Sequence, residues 1–266
     1  MADNRVPIDD LDDPRLAMYR HLKAHNLTRD LNQFVLEGEK LFSQLLRSRF
    51  PVASVLVSDR CEHHVAGRVP DDAPLFVMPH KRLEELVGFN RHQGVLACGV
   101  RVPWPPLDEM LTEAGPHATV VACPQIDNPE NLGAILRIAD VFGLVSVLIG
   151  PRSPDPFSRR VLRVSMGMAL SVPIHAPKDL AATLNDLRER LSFELVATVP
   201  DQTAQPLESY RPSGRLAVLL GCEAHGLERS WEALCDRRVT IPMRPGAESL
   251  NVAVAAGVVL YHVTRR

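Results

Sequence analysis

Residues 118–150 read ATVVACPQIDNPENLGAILRIADVFGLVSVLIG, and the hydrophobic period changes twice along them. ATVVACP is a continuous apolar run, PENLGAILRIADVFG has helical spacing, and VSVLIG is continuous again. Short Val/Ile/Leu runs mark strands buried on both faces, and two of them joined through a helix form a parallel β-α-β unit. The helix start is written locally: Asn128 is a natural N-cap and Pro129 suits the first helical position. Leu132, Ile135, Leu136 and Ala139 recur at i, i+3, i+4 and i+7 and predict the buried stripe. Arg137 lies about 140° around the helix from Leu132, on the face of Glu130, Gly133 and Asp140.

The alternation continues to the C-terminus. SRRVLRVSMGMAL reads as helix, SVPIH as strand, KDLAATLNDLRERL as helix, FELVATV, RLAVLLG and RRVTIPM as strands, and SLNVAVAAGVVLYHVT as the last helix. Upstream, PRLAMYRHLKAHN, EKLFSQLLRSRF and HKRLEELVGF read as helices, and FVLEG, ASVLVSD, PLFVMP and GVLACGV as strands. The fold class is α/β in both halves. Between them, RVPWPPLDEMLTEAGPH carries four prolines and a glycine and interrupts every periodic pattern. Proline has no amide donor, so the stretch reads as a linker. The predicted organisation is an N-terminal domain over 1–103 with an acidic tail over 1–13, a Pro-rich linker over 104–117, and a second domain over 118–266.

The net charge of −2 over 266 residues removes the simplest argument for a nucleic-acid partner. The average hides a pattern, because Arg5 stands against Asp3, Asp9, Asp10, Asp12 and Asp13 in the tail, while residues 14–101 carry 13 basic and 9 acidic side chains. The five cysteines are widely spaced, with no C-x-x-C pair, which suits neither a disulfide framework nor a zinc site and points to a reducing cytoplasm. The start has no apolar stretch behind a basic head, and no uncharged run reaches the ~20 residues of a spanning helix, so a soluble protein with no membrane and no metal is expected.

Three segments carry candidate chemistry. In the first, Gly133 sits inside a helix where glycine costs about 1 kcal/mol, a sign of close approach, and Arg137 is either a surface arginine paired with Asp140 or a functional group. In the second, LAVLLGCEAHGL runs a buried strand into a glycine turn with Glu223 between Gly221 and Gly226; it matches neither G-x-G-x-x-G nor a P-loop. In the third, IPMRPGAESLNVAVAAGVVLY leads through a Pro/Gly loop into the last helix. Ser249 is a natural cap there, and Asn251 calls for a hydrogen-bonding role. Ala253, Ala256 and Gly257 make a small face for packing on the sheet or on another subunit.

Together and in this order, Asn131-x-Gly133 with Arg137, Gly221-x-Glu223-x-x-Gly226-Leu227, and Ile241-Pro242-Met243 with Ser249-Leu250-Asn251-Val252-Ala253 resemble the SpoU (TrmH-like) branch of the SPOUT RNA methyltransferases. The resemblance covers residues 118–266. The first hundred residues, through FVLEGEKLFSQLL and HQGVLACG, are similar to a small substrate-binding domain related to an RNA-binding ribosomal protein.

The resemblance implies a parallel-sheet domain whose C-terminal segment forms a trefoil knot, which periodicity does not predict. It implies S-adenosyl-L-methionine as cofactor, held by Thr198, Leu220, Gly221, Ile241, Met243 and Leu250, and methyl transfer to a ribose 2′-hydroxyl of RNA, ribosomal RNA before transfer RNA. Arg137 would act as orienter and stabiliser of the forming alkoxide before literal base, since guanidinium stays protonated. Asn131, Glu223, Ser249 and Asn251 complete the catalytic set that the resemblance implies. It also implies a homodimer through the knot domain. Further RNA contacts would come from Arg159, Arg160 and Arg163, from Arg47, Arg49, Lys81, Arg82 and Arg91, and from Phe89, His92 or Tyr19 as a stacking platform. The alternative is a catalytically inactive RNA-binding protein of the same fold acting in ribosome assembly.

Overall fold

The computed structural model describes residues 4–20, 22, 31–88, 93–212 and 214–265. In chain order the elements are β1 (Arg5–Pro7), β2 (Gln33–Glu37), α1 (Glu39–Arg47), β3 (Val52–Ser58), α2 (Glu62–Val65), β4 (Leu75–Met78), α3 (His80–Val87), β5 (Val95–Val100) and α4 (Leu107–Glu113). Then follow β6 (Thr119–Cys123), α5 (Pro129–Val141), β7 (Ser146–Ile149), α6 (Arg159–Val164), β8 (Ile174–His175), α7 (Leu180–Leu191) and β9 (Phe193–Thr198). The chain ends with β10 (Gln205–Pro206), β11 (Arg215–Leu219), α8 (Arg229–Leu234), β12 (Arg237–Thr240) and α9 (Val252–Thr264). Among the described residues no helix is long and apolar enough to cross a membrane.

Two compact units form, Met1–Pro103 with Phe157–Ser171, and Trp104–Pro156 with Val172–Arg266. The first holds a mixed sheet ordered β1-β4-β3-β5-β2. One face buries Val35, Leu56, Phe76 and Leu96 against α3 and a 3-10 turn at Pro14–Tyr19. On the other face Phe34 meets Phe50 edge-on at 5.6 Å and stacks on Phe157 at 5.1 Å.

The second unit holds a seven-stranded sheet ordered β10-β12-β9-β11-β6-β7-β8, with every pairing parallel. Val120, Ala122, Leu195, Ala197, Ala217 and Leu219 pack with Leu111 of α4 and with Leu180, Leu184 and Leu187 of α7. Their alternates Val121, Val196 and Val218 are equally buried and point to the opposite face, where α5 and α9 pack together. Strands buried on both faces explain the continuous apolar runs of the sequence.

Four expectations change. The acidic tail contributes β1, which pairs with β4, and Ile8 is buried, because Val6 and Ile8 supply apolar contacts that the carboxylates flank. The linker folds into α4, whose Leu111 is fully buried, since Pro106 can precede a helix although it cannot continue one. Phe157–Ser171, expected in the second domain, belongs to the first unit and buries Phe157, Val161, Leu162, Ala169 and Leu170. Tyr19 is fully buried with its hydroxyl 2.7 Å from Ser54 Oγ, and so is a core residue and not a stacking platform. Phe89, Arg91 and His92 lie outside the described residues.

Candidate functional site

The C-terminal ends of β9, β11 and β12 open into a cavity of about 630 Å³, the position where parallel α/β sheets bind ligands. Thr198, Gly221, Glu223, Ile241, Met243, Ser249, Leu250 and Asn251 line it. Apolar Val252, Ala255 and Val259 of α9 complete one wall. The strand ends deliver these groups because the segment after β11 must turn at once. A Cβ on Gly221 would run into the backbone of Gly226 and Leu227, so only glycine fits there. Cys222 and Gly226 then exchange backbone hydrogen bonds of 2.9 and 3.0 Å, and Gly226 sits at φ +68°, closing a tight loop with Glu223 on it.

Glu223 is anchored on α5. Its Oε1 accepts from Asn131 Nδ2 at 2.6 Å and from the Asn128 amide at 3.1 Å, and its Oε2 accepts from the Asp127 amide at 2.9 Å. Burial pushes this carboxyl upward, but the N–H donors of Asn131, Asp127 and Asn128 outweigh it and hold the group below the usual glutamate range. Asn131 is buried, and its Oδ1 accepts from Asn251 Nδ2 at 3.0 Å. Asn251 Oδ1 in turn accepts the Ala253 and Val254 amides at 2.9 and 3.3 Å. One chain of hydrogen bonds therefore ties the Glu223 loop to the starts of α5 and α9.

The cap of α9 is thus Asn251 and not Ser249. The Ser249 hydroxyl makes no hydrogen bond among the described residues, which leaves it available to a ligand. Thr198 Oγ1 donates to the Leu219 carbonyl at 2.8 Å, so its proton is committed to the sheet. Leu220 is fully buried, its amide bonds the Ala122 carbonyl at 2.9 Å, and it stands behind the cavity wall beside a crevice of about 10 Å³. Asn131 reaches the site through Glu223 and Asn251 and does not line the cavity.

Arg137 is the separate member. It is exposed on α5, outside the cavity lining, and makes no ion pair with Asp140 or with any other described residue. It neighbours Val141 at i+4, which is 67% exposed. On α9 the small residues Ala253 and Ala256 are buried, with Ile138 of α5 3.7 Å from where a Gly257 Cβ would stand, so the small face serves packing within the chain. The outward face of α9 is apolar instead, with Val254, Val258 and Tyr261 exposed.

Among the described residues no group of His, Cys, Asp or Glu could hold a metal ion. Burial pushes the thiols of Cys98, Cys123 and Cys235 up to about 12, far from thiolate chemistry. The cavity does fit an adenosyl cofactor: its volume lies in the range of small-molecule sites, Ile241, Met243 and Leu250 offer apolar faces for a base, and bare backbone is exposed at Gly221.

Residues 118–261 match the profile of the SpoU rRNA Methylase family. The chain is 34% identical over 268 residues to an uncharacterized tRNA/rRNA methyltransferase of Mycobacterium tuberculosis, covering 96% of this chain and 90% of that one. It is 35% identical over 188 residues to the 23S rRNA (guanosine-2′-O-)-methyltransferase RlmB of Acinetobacter baylyi, covering 69% and 75%. The AdoMet-bound rRNA methyltransferase of Sinorhizobium meliloti superposes with a TM-score of 0.81 over 98% of both chains, at 23% identity.

Proposed function

The chain belongs to the SpoU rRNA methylase family and is an S-adenosylmethionine-dependent RNA methyltransferase, and on that premise we propose that it methylates a ribose 2′-hydroxyl, in ribosomal RNA before transfer RNA. The observation that carries this reading is the hydrogen-bond chain Asn251–Asn131–Glu223 at the mouth of a cofactor-sized cavity. The relative from Acinetobacter baylyi supports the ribose and the ribosomal substrate by its name. The C-terminal segment from β12 to α9 is read as the family's trefoil knot, supported by α9 packing on α5 after the chain has passed through β12.

In this reading the cofactor lies against Gly221, Ile241, Met243 and Leu250, with Thr198 and the Leu220 carbonyl behind it. When bound, it supplies a methyl group on a sulfonium, already an electrophile. The protein's task is to orient the attacking hydroxyl, whose proton is released to solvent as its oxygen bonds the methyl group, and to offset the negative charge that forms on that oxygen. Glu223, fixed by three N–H donors, shapes the loop at the cavity mouth. Asn131 and Asn251 hold that loop to two helix starts, so the site is rigid before substrate arrives. Ser249 donates its open hydroxyl to the nucleotide. Arg137 offers its guanidinium N–H donors to the forming alkoxide.

The first unit reads the RNA. Arg47, Arg49, Arg160 and Arg163 are exposed on it, while Arg159 pairs with Glu37 at 3.3 Å. Phosphate contacts of this kind make affinity fall steeply with salt. The exposed strip of Val141, Val254, Val258 and Tyr261 supports a homodimer through α5 and α9. With ribosomal RNA as the proposed substrate, the activity is read as cytoplasmic.

The test is labelled methyl transfer to total RNA from a strain lacking the gene, followed by mass mapping of the modified nucleoside. A 2′-O-methyl nucleoside in ribosomal RNA is expected. A base-methylated product overturns the ribose assignment, and label confined to transfer RNA overturns the choice of substrate.

A further inference from the structure

The cavity carries one charged cluster that the roles above leave unused: Asp201 after β9, Arg238 on β12 and Glu232 on α8. Arg238 joins the other two, donating from Nη2 to Asp201 Oδ2 at 2.6 Å and from Nε to Glu232 Oε2 at 3.0 Å. Asp201 is saturated, because its Oδ1 also accepts the Thr203 amide and hydroxyl, both at 2.8 Å. Glu232 is not. Its side chain is only 23% exposed, yet Oε1 accepts from no described residue. The cavity wall thus contains a part-buried carboxylate with one oxygen clamped and the other open.

The sheet order places this oxygen relative to the chemistry. Arg238 lies on β12 and the Glu223 loop follows β11, with β9 between them, so the two ends of the cavity are about 10 Å apart at ordinary strand spacing. With the methyl group at the Glu223–Asn131–Asn251 end, as the roles proposed above require, the adenosine would extend toward β12. Apolar Ile241, Met243 and Leu250 suit the faces of the base. The remaining donors of an adenosine are its exocyclic amine and its ribose hydroxyls, and a carboxylate accepts from a vicinal diol particularly well.

We propose that Glu232 is a specificity-determining residue for the cofactor, its Oε1 accepting a hydrogen bond from a ribose hydroxyl of S-adenosylmethionine while Arg238, held by Asp201, fixes its rotamer. This rests on the cofactor placement given above. No metal or covalent step is involved. Glu232 selects for the ribonucleoside form of the ligand, and Arg238 is a positioning residue that acts through it.

The experiment is calorimetric titration of the full chain with S-adenosylhomocysteine and with its 2′-deoxy and 3′-deoxy adenosyl analogues, for wild type, Glu232→Ala and Glu232→Gln. Wild type is expected to bind the parent ligand and to lose about tenfold with one of the deoxy analogues, the low end for a charge-assisted hydrogen bond at a partly exposed site. Glu232→Ala should bind the parent about tenfold more weakly and lose nothing further with that same analogue. Glu232→Gln, which keeps a neutral acceptor, should fall between the two. If wild type binds but Glu232→Ala binds as well, or weakens equally for all three ligands, the ribose contact is refuted and the cofactor placement stands. If wild type binds none of them, the placement itself fails and this inference with it.

Discussion

Replacing Asn131 by Asp exchanges one nitrogen for oxygen, keeps the side-chain shape, and turns the donor that Glu223 faces into a second carboxylate. The Asn131 Nδ2 to Glu223 Oε1 bond of 2.6 Å is lost, a hydrogen bond to a charged group worth about 2 kcal/mol. Two unit charges at ~4 Å repel by about 4 kcal/mol at an effective dielectric of 20 and by about 1 kcal/mol in bulk water. Glu223 is solvent-exposed on one side, so the lower part of that range, about 1–2 kcal/mol, applies. Asn131→Asp should therefore cost about 3–4 kcal/mol at pH 8.

The sign of the pH dependence separates this reasoning from a generic loss of packing. In the wild type, Glu223 is held below its usual range, so its contribution is complete above the ordinary carboxylate pKa and is lost as pH falls through the lowered value. In Asn131→Asp the facing pair takes up a shared proton more readily than a free carboxylate does, so the penalty shrinks as pH drops from 8 to 5, toward about 1 kcal/mol. Both tryptophans, Trp104 and Trp231, lie in the second unit. Urea unfolding followed by their fluorescence at the two pH values reads the relevant half of the chain. A penalty under about 1 kcal/mol at pH 8, or one that is equal at pH 5 and pH 8, would refute the argument.

Arg137→Ala should slow labelled methyl transfer by about 10²–10³-fold and leave calorimetric affinity for S-adenosylhomocysteine unchanged; wild-type turnover removes Arg137 from the mechanism. Gly221→Ala drives a Cβ into the Gly226–Leu227 backbone, so cofactor binding should vanish and the melting temperature fall, and retained binding would mean the loop is not the wall described. Val258→Glu places a charge in the apolar strip of α9 and should convert a dimer to monomer in sedimentation velocity; an unchanged dimer puts the interface elsewhere. Removing residues 1–103 should yield an aggregating chain, because Phe157, Val161, Leu162, Ala169 and Leu170 lose their cover. Polar replacements at Phe157, Val161 and Leu162 should restore a monodisperse peak in size-exclusion chromatography, and a soluble simple truncation would count against the assignment of this segment.

Much of the second unit could be read from local pattern. The β6-α5-β7 unit, the Asn128 cap and the Leu132/Ile135/Leu136/Ala139 stripe all follow from period and capping chemistry, which act over a few residues. The motif residues were nameable for the same reason, as glycines, an acid and amides at fixed offsets. The partner of each was not. Glu223 is 92 residues from Asn131 and Asn131 is 120 from Asn251, and no local rule links amides and carboxylates over such distances. The cluster of Asp201, Glu232 and Arg238 was invisible for this reason, since each residue alone reads as a solvated surface charge.

The near-neutral charge and the proline-rich break were correct as composition and incomplete as structure. The break holds a helix because one buried leucine, Leu111, repays ordering the turn around it, and the acidic start holds a strand because β4 offers an open edge. The element types, the parallel sheet and the motif residues that line the cavity were legible in the sequence, because periodicity, caps and glycine turns are properties of short stretches. Only the tertiary structure decided where Phe157–Ser171 packs, which face of α9 is buried, and which side chains close the hydrogen-bond chain. Those outcomes depend on which apolar surfaces and which donors and acceptors meet across the sheet, and that is fixed by the packing of the whole unit.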